Sequence, residues 1–344
     1  MHPIMLDSSD RLGASETEEP VGVGRILLDD ADSLGRMVGW DLNFRQLSSG
    51  RSEIPARILV GKSVNIVGLH FNHAYHQRGH APDQMLTFGI PLGGTLDWFR
   101  RPIEWGSILN FNHASGFDAV SAEGFSALTL SIDRSAVYRT SDTLKLPLPD
   151  FLLEPGPGSV IRPSDRAASL RRMLSRVLRS PGHNPEQHLE TDIVTGLLNA
   201  ALATTPCEDK SSAPLRARSV AAALDCIEAN RCDAISVTDI CRHTGAAWRT
   251  LDRGFRERFG IGPKAYVIRR RLSGVRAELI ADNGRQRVSD IANAWDFWHM
   301  GQFAHDYRKL FGELPSETLV SRPKSSLHFS GARSAVALGG RAQD

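Results

Sequence analysis

One pattern occurs twice in the last third of this 344-residue chain, and a duplicated pattern restricts the fold more than any composition can. "SVTDICRHTGAAWRTLDRGFRERFGIGP" (236–263) aligns with "RVSDIANAWDFWHMGQFAHDYRKLFGELP" (287–315). Each copy reads as a short helix, a turn, a longer helix and an FG-x-x-P ending. Ile240 matches Ile291 at an offset of 51, whereas Leu251, Phe255, Phe259 and Pro263 match Phe303, Tyr307, Phe311 and Pro315 at an offset of 52. The second copy therefore carries one extra residue in its turn.

In the longer helix of the first copy, Leu251, Phe255 and Phe259 form a buried stripe and leave Arg249, Thr250, Arg253 and Arg256 on another face. In the second copy the stripe is Phe303, Tyr307 and Phe311, and Met300, Gly301, Ala304, His305 and Arg308 turn outward. Two helix-turn-helix units in tandem result, each able to present a helix to a major groove. The competing reading is a helical bundle with solvated arginines; matched core spacing in two copies argues against it. "PKAYVIRRRLSGVRAELIA", Pro263 to Ala281, would span about 28 Å as one helix, against about 34 Å between successive major-groove faces. Arg269, Arg270, Arg271 and Arg276 on it either reach phosphate or form a solvated basic face.

On these residues, from 216 to 320, the chain resembles the AraC family of bacterial transcription regulators. "RTLDRGFRERFGIGPKAYVIRRRL" is similar to the family's first unit and connector, and "FWHMGQFAHDYRKLFGELPSETL" to its second unit. The resemblance implies that Arg249, Thr250, Asp252 and Arg253 take base-reading places in the first unit. It likewise implies His299, Met300, Gly301, Ala304 and His305 in the second, with Arg256 and Arg308 near phosphate. One residue departs from the pattern: where the family has a turn glycine before the second recognition helix, this chain has Asp296, although Gly245 is kept in the first unit. A left-handed turn there is expected to be strained or differently shaped.

The charge distribution agrees with a basic reader joined to a different kind of domain. Residues 1–213 hold 20 Lys/Arg against 25 Asp/Glu, and 214–322 hold 18 against 13. Between Arg36 and Asp133 short apolar runs such as "ARILVGKSVNIVGLHF", "MLTFGIPL" and "FSALTLSID" alternate with Gly, Pro and Asn, as in a β-sandwich or barrel. From Ser164 the period changes, and "SDRAASLRRMLSRVL" and "PEQHLETDIVTGLLNALA" read as a helical pair. The fold expected is thus α+β and multidomain: an N-terminal extension (1–35), a β-rich sensor and dimerisation domain with its helical pair (36–204), a linker (205–215), an all-α domain with two helix-turn-helix units (216–320) and a disordered tail (321–344). "FRQLSSGRSEIPARILVG" and "FGIPLGG" are similar, less specifically, to the cupin-like barrel of AraC sensor domains of the ethanolamine-utilisation type.

Four histidines within "HFNHAYHQRGH" (70–80) raise an alternative, a metal-dependent cupin enzyme fused to a DNA-binding module. The spacing weighs against it. On one strand His70 and His76 would share a face at nearly 20 Å, and His70 and His73 would point apart, so a regular strand cannot gather the set. The four cysteines form no CxxC pair, and no Ser-His-Asp arrangement or phosphate-cradling loop is legible. The expectation is no catalysis, no cofactor and no metal. His70, His76, Trp98 and Arg100 are the candidate effector contacts, the last two from "DWFRRPIEW" (97–105), although aromatics in such a segment more often pack a barrel or its contact with the helical domain. The expected partners are double-stranded promoter DNA, a small-molecule effector, a second copy held through helices 164–204 at Leu174 and Leu198, and RNA polymerase if the protein activates. No membrane-spanning run or leader is legible, and the expected location is the cytoplasm.

Overall fold

The strand-like runs form two antiparallel sheets that face each other. The computed structural model describes residues 22–179, 186–203, 215–230, 235–282, 285–320 and 328–329. The N-terminal elements are β1 (Gly22–Leu28), α1 (Asp32–Val38), β2 (Asp41–Gln46), β3 (Ile54–Val60), β4 (Val64–Phe71), β5 (Tyr75–His80), β6 (Met85–Gly93), β7 (Leu96–Trp98), β8 (Arg101–Pro102), β9 (Ile108–Asn110), β10 (Phe117–Ser121) and β11 (Phe125–Asp133). There follow α2 (Arg134–Leu144), α3 (Asp150–Leu153), β12 (Val160–Ile161), α4 (Asp165–Arg179) and α5 (Glu186–Leu202). The helical domain comprises α6 (Leu215–Ala229), α7 (Val237–Thr244), α8 (Trp248–Phe259), α9 (Pro263–Asp282), α10 (Val288–Ala294), α11 (Met300–Phe311) and α12 (Pro315–Val320), and β13 (His328–Phe329) comes last.

The larger sheet has the order β12-β9-β6-β11-β4-β3-β1-β13 and the smaller β2-β5-β10-β7-β8. Side-chain alternation explains how they pack. Strand β4 sends Val67, Leu69 and Phe71 into the core between the sheets, where they meet Phe44, Tyr75, Trp98 and Phe117 of the smaller one. Its other face sends Val64 and Ile66 outward, and there α2, α4 and α5 cover the larger sheet with Leu170, Leu174, Leu197 and Leu198.

Three expectations change. The segment 1–35 is not simply an extension, because β1 pairs with β3 from Gly22 opposite Val60 to Leu28 opposite Ile54. Its alternation is masked in sequence by the polar run before it. The tail 321–344 holds a described strand, since Phe329 and His328 pair with Gly24 and Arg25. Leu174 and Leu198 are fully buried within their own domain, so they are not free to hold a partner chain. The linker 205–215 lies outside the described residues except for Leu215, which already begins α6.

The helical domain has two cores threaded by one helix. Ile240, Leu251, Phe255 and Phe259 pack with Val220, Leu224 and Ile227 of α6 and with Tyr266 and Val267 from the start of α9. Ile291, Phe303, Tyr307 and Phe311 pack with Leu272, Val275 and Leu279 from the rest of α9. At 20 residues α9 spans about 30 Å, and no helix among the described residues is long and apolar enough to cross a membrane.

Candidate nucleic-acid interface

Each unit is built by capping and turn chemistry. Ser236 and Asp239 form a reciprocal capping box at the start of α7, and the helix ends at Gly245 with φ 63°. Helix α8 then runs to a left-handed Gly260, as α11 runs to Gly312. In the second unit the turn passes through Asp296, also at φ 63°. Its carboxylate compensates: Oδ2 accepts from Arg271 Nη1 at 2.9 Å and Oδ1 from Trp298 Nε1 at 2.9 Å. The unusual residue thus keeps the glycine's conformation and adds two hydrogen bonds.

On α8, Arg249, Arg253 and Arg256 are exposed and Thr250 and Asp252 half-buried. Two of these arginines have side-chain acids on the helix itself: Arg253 donates to Glu257 at 3.0 Å, and Arg256 to Asp252 at 2.9 Å. Exposed pairs of this kind are screened by water and contribute little, so a phosphate or a guanine edge can replace them. On α11 and its entry, His299, Gly301, His305 and Arg308 are exposed and Ala304 is half-buried. Met300 differs from expectation, because it packs partly against the second core. Trp248 at the start of α8 and Trp298 in the turn before α11 are 47% and 68% exposed. Sequence reading passed over both, although a large apolar residue off the core stripe was the available signal.

Three of the four connector arginines are engaged inside the protein. Arg270 is buried and lies 3.6 Å from Glu228, Arg271 holds Asp296, and Arg276 spans Asp30 at 3.1 Å and Glu313 at 3.1 Å. Burial would lower the Arg276 pKa, but Asp30 and Glu313 keep it raised. The phosphate role considered for these three is displaced by contacts that tie the helical domain to itself and to the sheets.

The effector candidates do not converge. His70 is exposed on the larger sheet, beside Ser126 Oγ at 2.8 Å. His73 contacts Ser48 Oγ and the Arg51 carbonyl. His80 is exposed at the end of β5. Among the described residues no group of three or more His, Cys, Asp or Glu side chains is placed to hold a metal ion. Arg100, at φ 69°, reaches the Ala217 carbonyl on α6 at 3.3 Å. Trp98 is buried between the sheets beside a cavity of about 50 Å³, and its Nε1 has no hydrogen-bond partner.

His76 belongs to a charged seam between the sheets and the first unit. It is 1% exposed, with Nε2 3.0 Å from Asp118 Oδ1 and Nδ1 2.5 Å from Tyr266 Oη. Tyr266 Oη also accepts from Arg45 Nη1 at 2.6 Å, so the tyrosine proton is free for His76 Nδ1 and the ring can donate from Nε2 to the carboxylate. Arg258 Nη2 donates to Asp118 at 2.5 Å, and Arg45 pairs with Glu228. Burial pushes the His76 pKa down to about 4. Burial alone would raise the Asp118 pKa, but His76, Arg258 and Arg78 hold it below the usual range. No sequence pattern announces this seam, since its members lie as much as 221 residues apart.

Residues 240–320 match a family model described as a helix-turn-helix domain. The chain is 34% identical over 102 residues to a probable thc operon regulatory protein of Rhodococcus erythropolis, covering 29% of this chain and 31% of that one. It is 38% identical over 97 residues to the XylDLEGF operon transcriptional activator 3 of Pseudomonas putida, covering 28% and 29%. The aligned part spans about a third of the length of these curated relatives. A solved probable AraC family transcriptional regulator from Rhodopseudomonas palustris is 34% identical, with 98% of that chain and 30% of this one covered, at a TM-score of 0.29.

Proposed function

The chain belongs to the AraC family of transcription regulators by the identity of its C-terminal part, and we propose that it is a sequence-specific DNA-binding regulator that reads two adjacent major-groove segments. The observation that carries this is the pair of exposed faces, Arg249, Arg253 and Arg256 on α8 and His299, His305 and Arg308 at α11, set on two cores that share α9. Thr250, Asp252, Met300, Gly301 and Ala304 complete the two reading surfaces. The family is one of regulators and not of enzymes, and the scattered histidines give the alternative metal-enzyme reading no support.

A small-molecule effector would act from the β-rich domain. RNA polymerase is the further partner if the protein activates, and the cytoplasm its place of work. A dimer would have to use exposed residues such as Tyr138, Leu144 and Leu202 in place of Leu174 and Leu198.

Selection from a randomised duplex library with the full chain tests the reading. The expected product is a site with two preferred blocks about one helical turn apart, 10–10.5 bp. Recovery of unselected sequence would overturn it.

A further inference from the structure

The outer face of the larger sheet carries a cleft of about 750 Å³ that neither the reading faces nor the space between the sheets uses. It opens beyond the end of α4, across β11, β4, β3 and β1. Leu128 and Leu178 form part of its lining, and Leu27, 55% exposed, stands on the β1 side. Gly68 keeps the floor open. A Cβ there would lie 3.0 Å from Leu178 Cδ1 and 3.3 Å from Leu128 Cδ2, so any larger residue would fill the space.

The rim is cationic in an unusual way. Arg25 and Arg57 are direct cross-strand partners, and Arg57 is in turn opposite Gly68. Directly opposed residues on one face have Cβ atoms about 4.5–5.5 Å apart, and like charges there are destabilising. Among the described residues neither guanidinium has a hydrogen bond or ion pair, and no Asp or Glu lines the cleft. Arg179 adds a third cation, although its place in the last turn of α4 also suits the negative end of that helix. The two strand arginines therefore carry the argument. An anion between them would remove the repulsion, and the apolar lining next to them suits a hydrocarbon body.

We propose that this cleft binds an amphipathic organic carboxylate, with its head between Arg25 and Arg57 and its apolar body over Gly68 toward Leu128 and Leu178. The proposal does not rest on DNA binding and stands or falls separately from it.

Titration calorimetry of the full chain with decanoate, and with decanol as the uncharged control, tests it. Decanoate is expected to bind at least about ten-fold more tightly than decanol, and Arg57→Gln and Arg25→Gln each to weaken decanoate about ten-fold or more. Circular dichroism should show both variants folded, since Arg25 is exposed and Arg57 half-buried. Trp98→Phe, which alters the space between the sheets, should leave decanoate binding unchanged. The proposal is overturned if decanoate does not bind, if decanol binds equally well, if the arginine variants keep wild-type affinity, or if Trp98→Phe alone abolishes binding.

Discussion

In the first helix-turn-helix unit the turn passes through Gly245, and in the second through Asp296, at the same φ of 63°. The first unit reaches the conformation without strain because nothing stands on its Cα; the second reaches it by tying a carboxylate to Arg271 and Trp298. Their attachments to the β-rich domain differ as well. The first unit is held by a buried seam in which Asp118, Arg258 and Arg45 are charged and His76 and Tyr266 are neutral. The second is held by a backbone acceptor and an ion pair: the Leu310 carbonyl accepts from Gly50 N at 3.0 Å and from Gln46 Nε2 at 2.9 Å, and Arg276 pairs with Asp30 at 3.1 Å. A duplicated reader has thus been fixed to one support by two kinds of contact, one built on a buried histidine, tyrosine and their charged partners and the other on a backbone acceptor beside an ion pair.

The largest expected effect separates these attachments. Asp118→Ala leaves Arg258 buried without its closest acid and should lower stability by about 3–5 kcal/mol in urea denaturation. Leu310→Ala keeps the backbone acceptor and should act only through lost packing, about 2–4 kcal/mol. A loss below 1 kcal/mol for Asp118→Ala would show that the seam is not an anchor.

Acid should act on the first attachment. His76 has an ordinary pKa of 6.5 when unfolded and about 4 when folded, so its contribution is present above pH 6.5 and is lost as the pH falls toward 4. The amount is about 3 kcal/mol. Asp32, raised to about 7 by burial and by Asp30, works in the opposite direction over much of this range. The His76 contribution is therefore the difference in pH dependence between wild type and His76→Phe. Parallel stability curves for the two proteins between pH 4 and 6.5 would contradict the assignment.

The turns give a smaller contrast. Asp296→Ala keeps the left-handed backbone and loses both hydrogen bonds, so a loss of about 1–2 kcal/mol is expected. Asp296→Gly should be nearly neutral, because relief of strain offsets those bonds. A Cβ at Gly245 meets nothing within 4 Å, so Gly245→Ala should add backbone strain alone and cost only about 1 kcal/mol of stability. Equal losses for Asp296→Gly and Asp296→Ala would remove strain from the account.

These contrasts also mark what the sequence could disclose. The turn at Asp296 was legible because the two copies align around it, and the core stripes because Leu251, Phe255 and Phe259 recur as Phe303, Tyr307 and Phe311. Local periodicity carries that information. The seam was not legible, because His76 meets Tyr266 only after two separate domains have folded and docked. For the same reason Arg270 and Arg276 look like phosphate contacts along the helix, and only the fold shows the acids that take them.

The central claim, that each unit reads its own block of base pairs, is tested most directly by repeating the duplex selection with Arg253→Ala and His305→Ala. Arg253→Ala should relax preference in one block, with a loss of about 1–3 kcal/mol at the selected site, and His305→Ala should relax preference only in the other. If both substitutions alter the same block, or neither alters any, the two units do not read DNA in the way proposed.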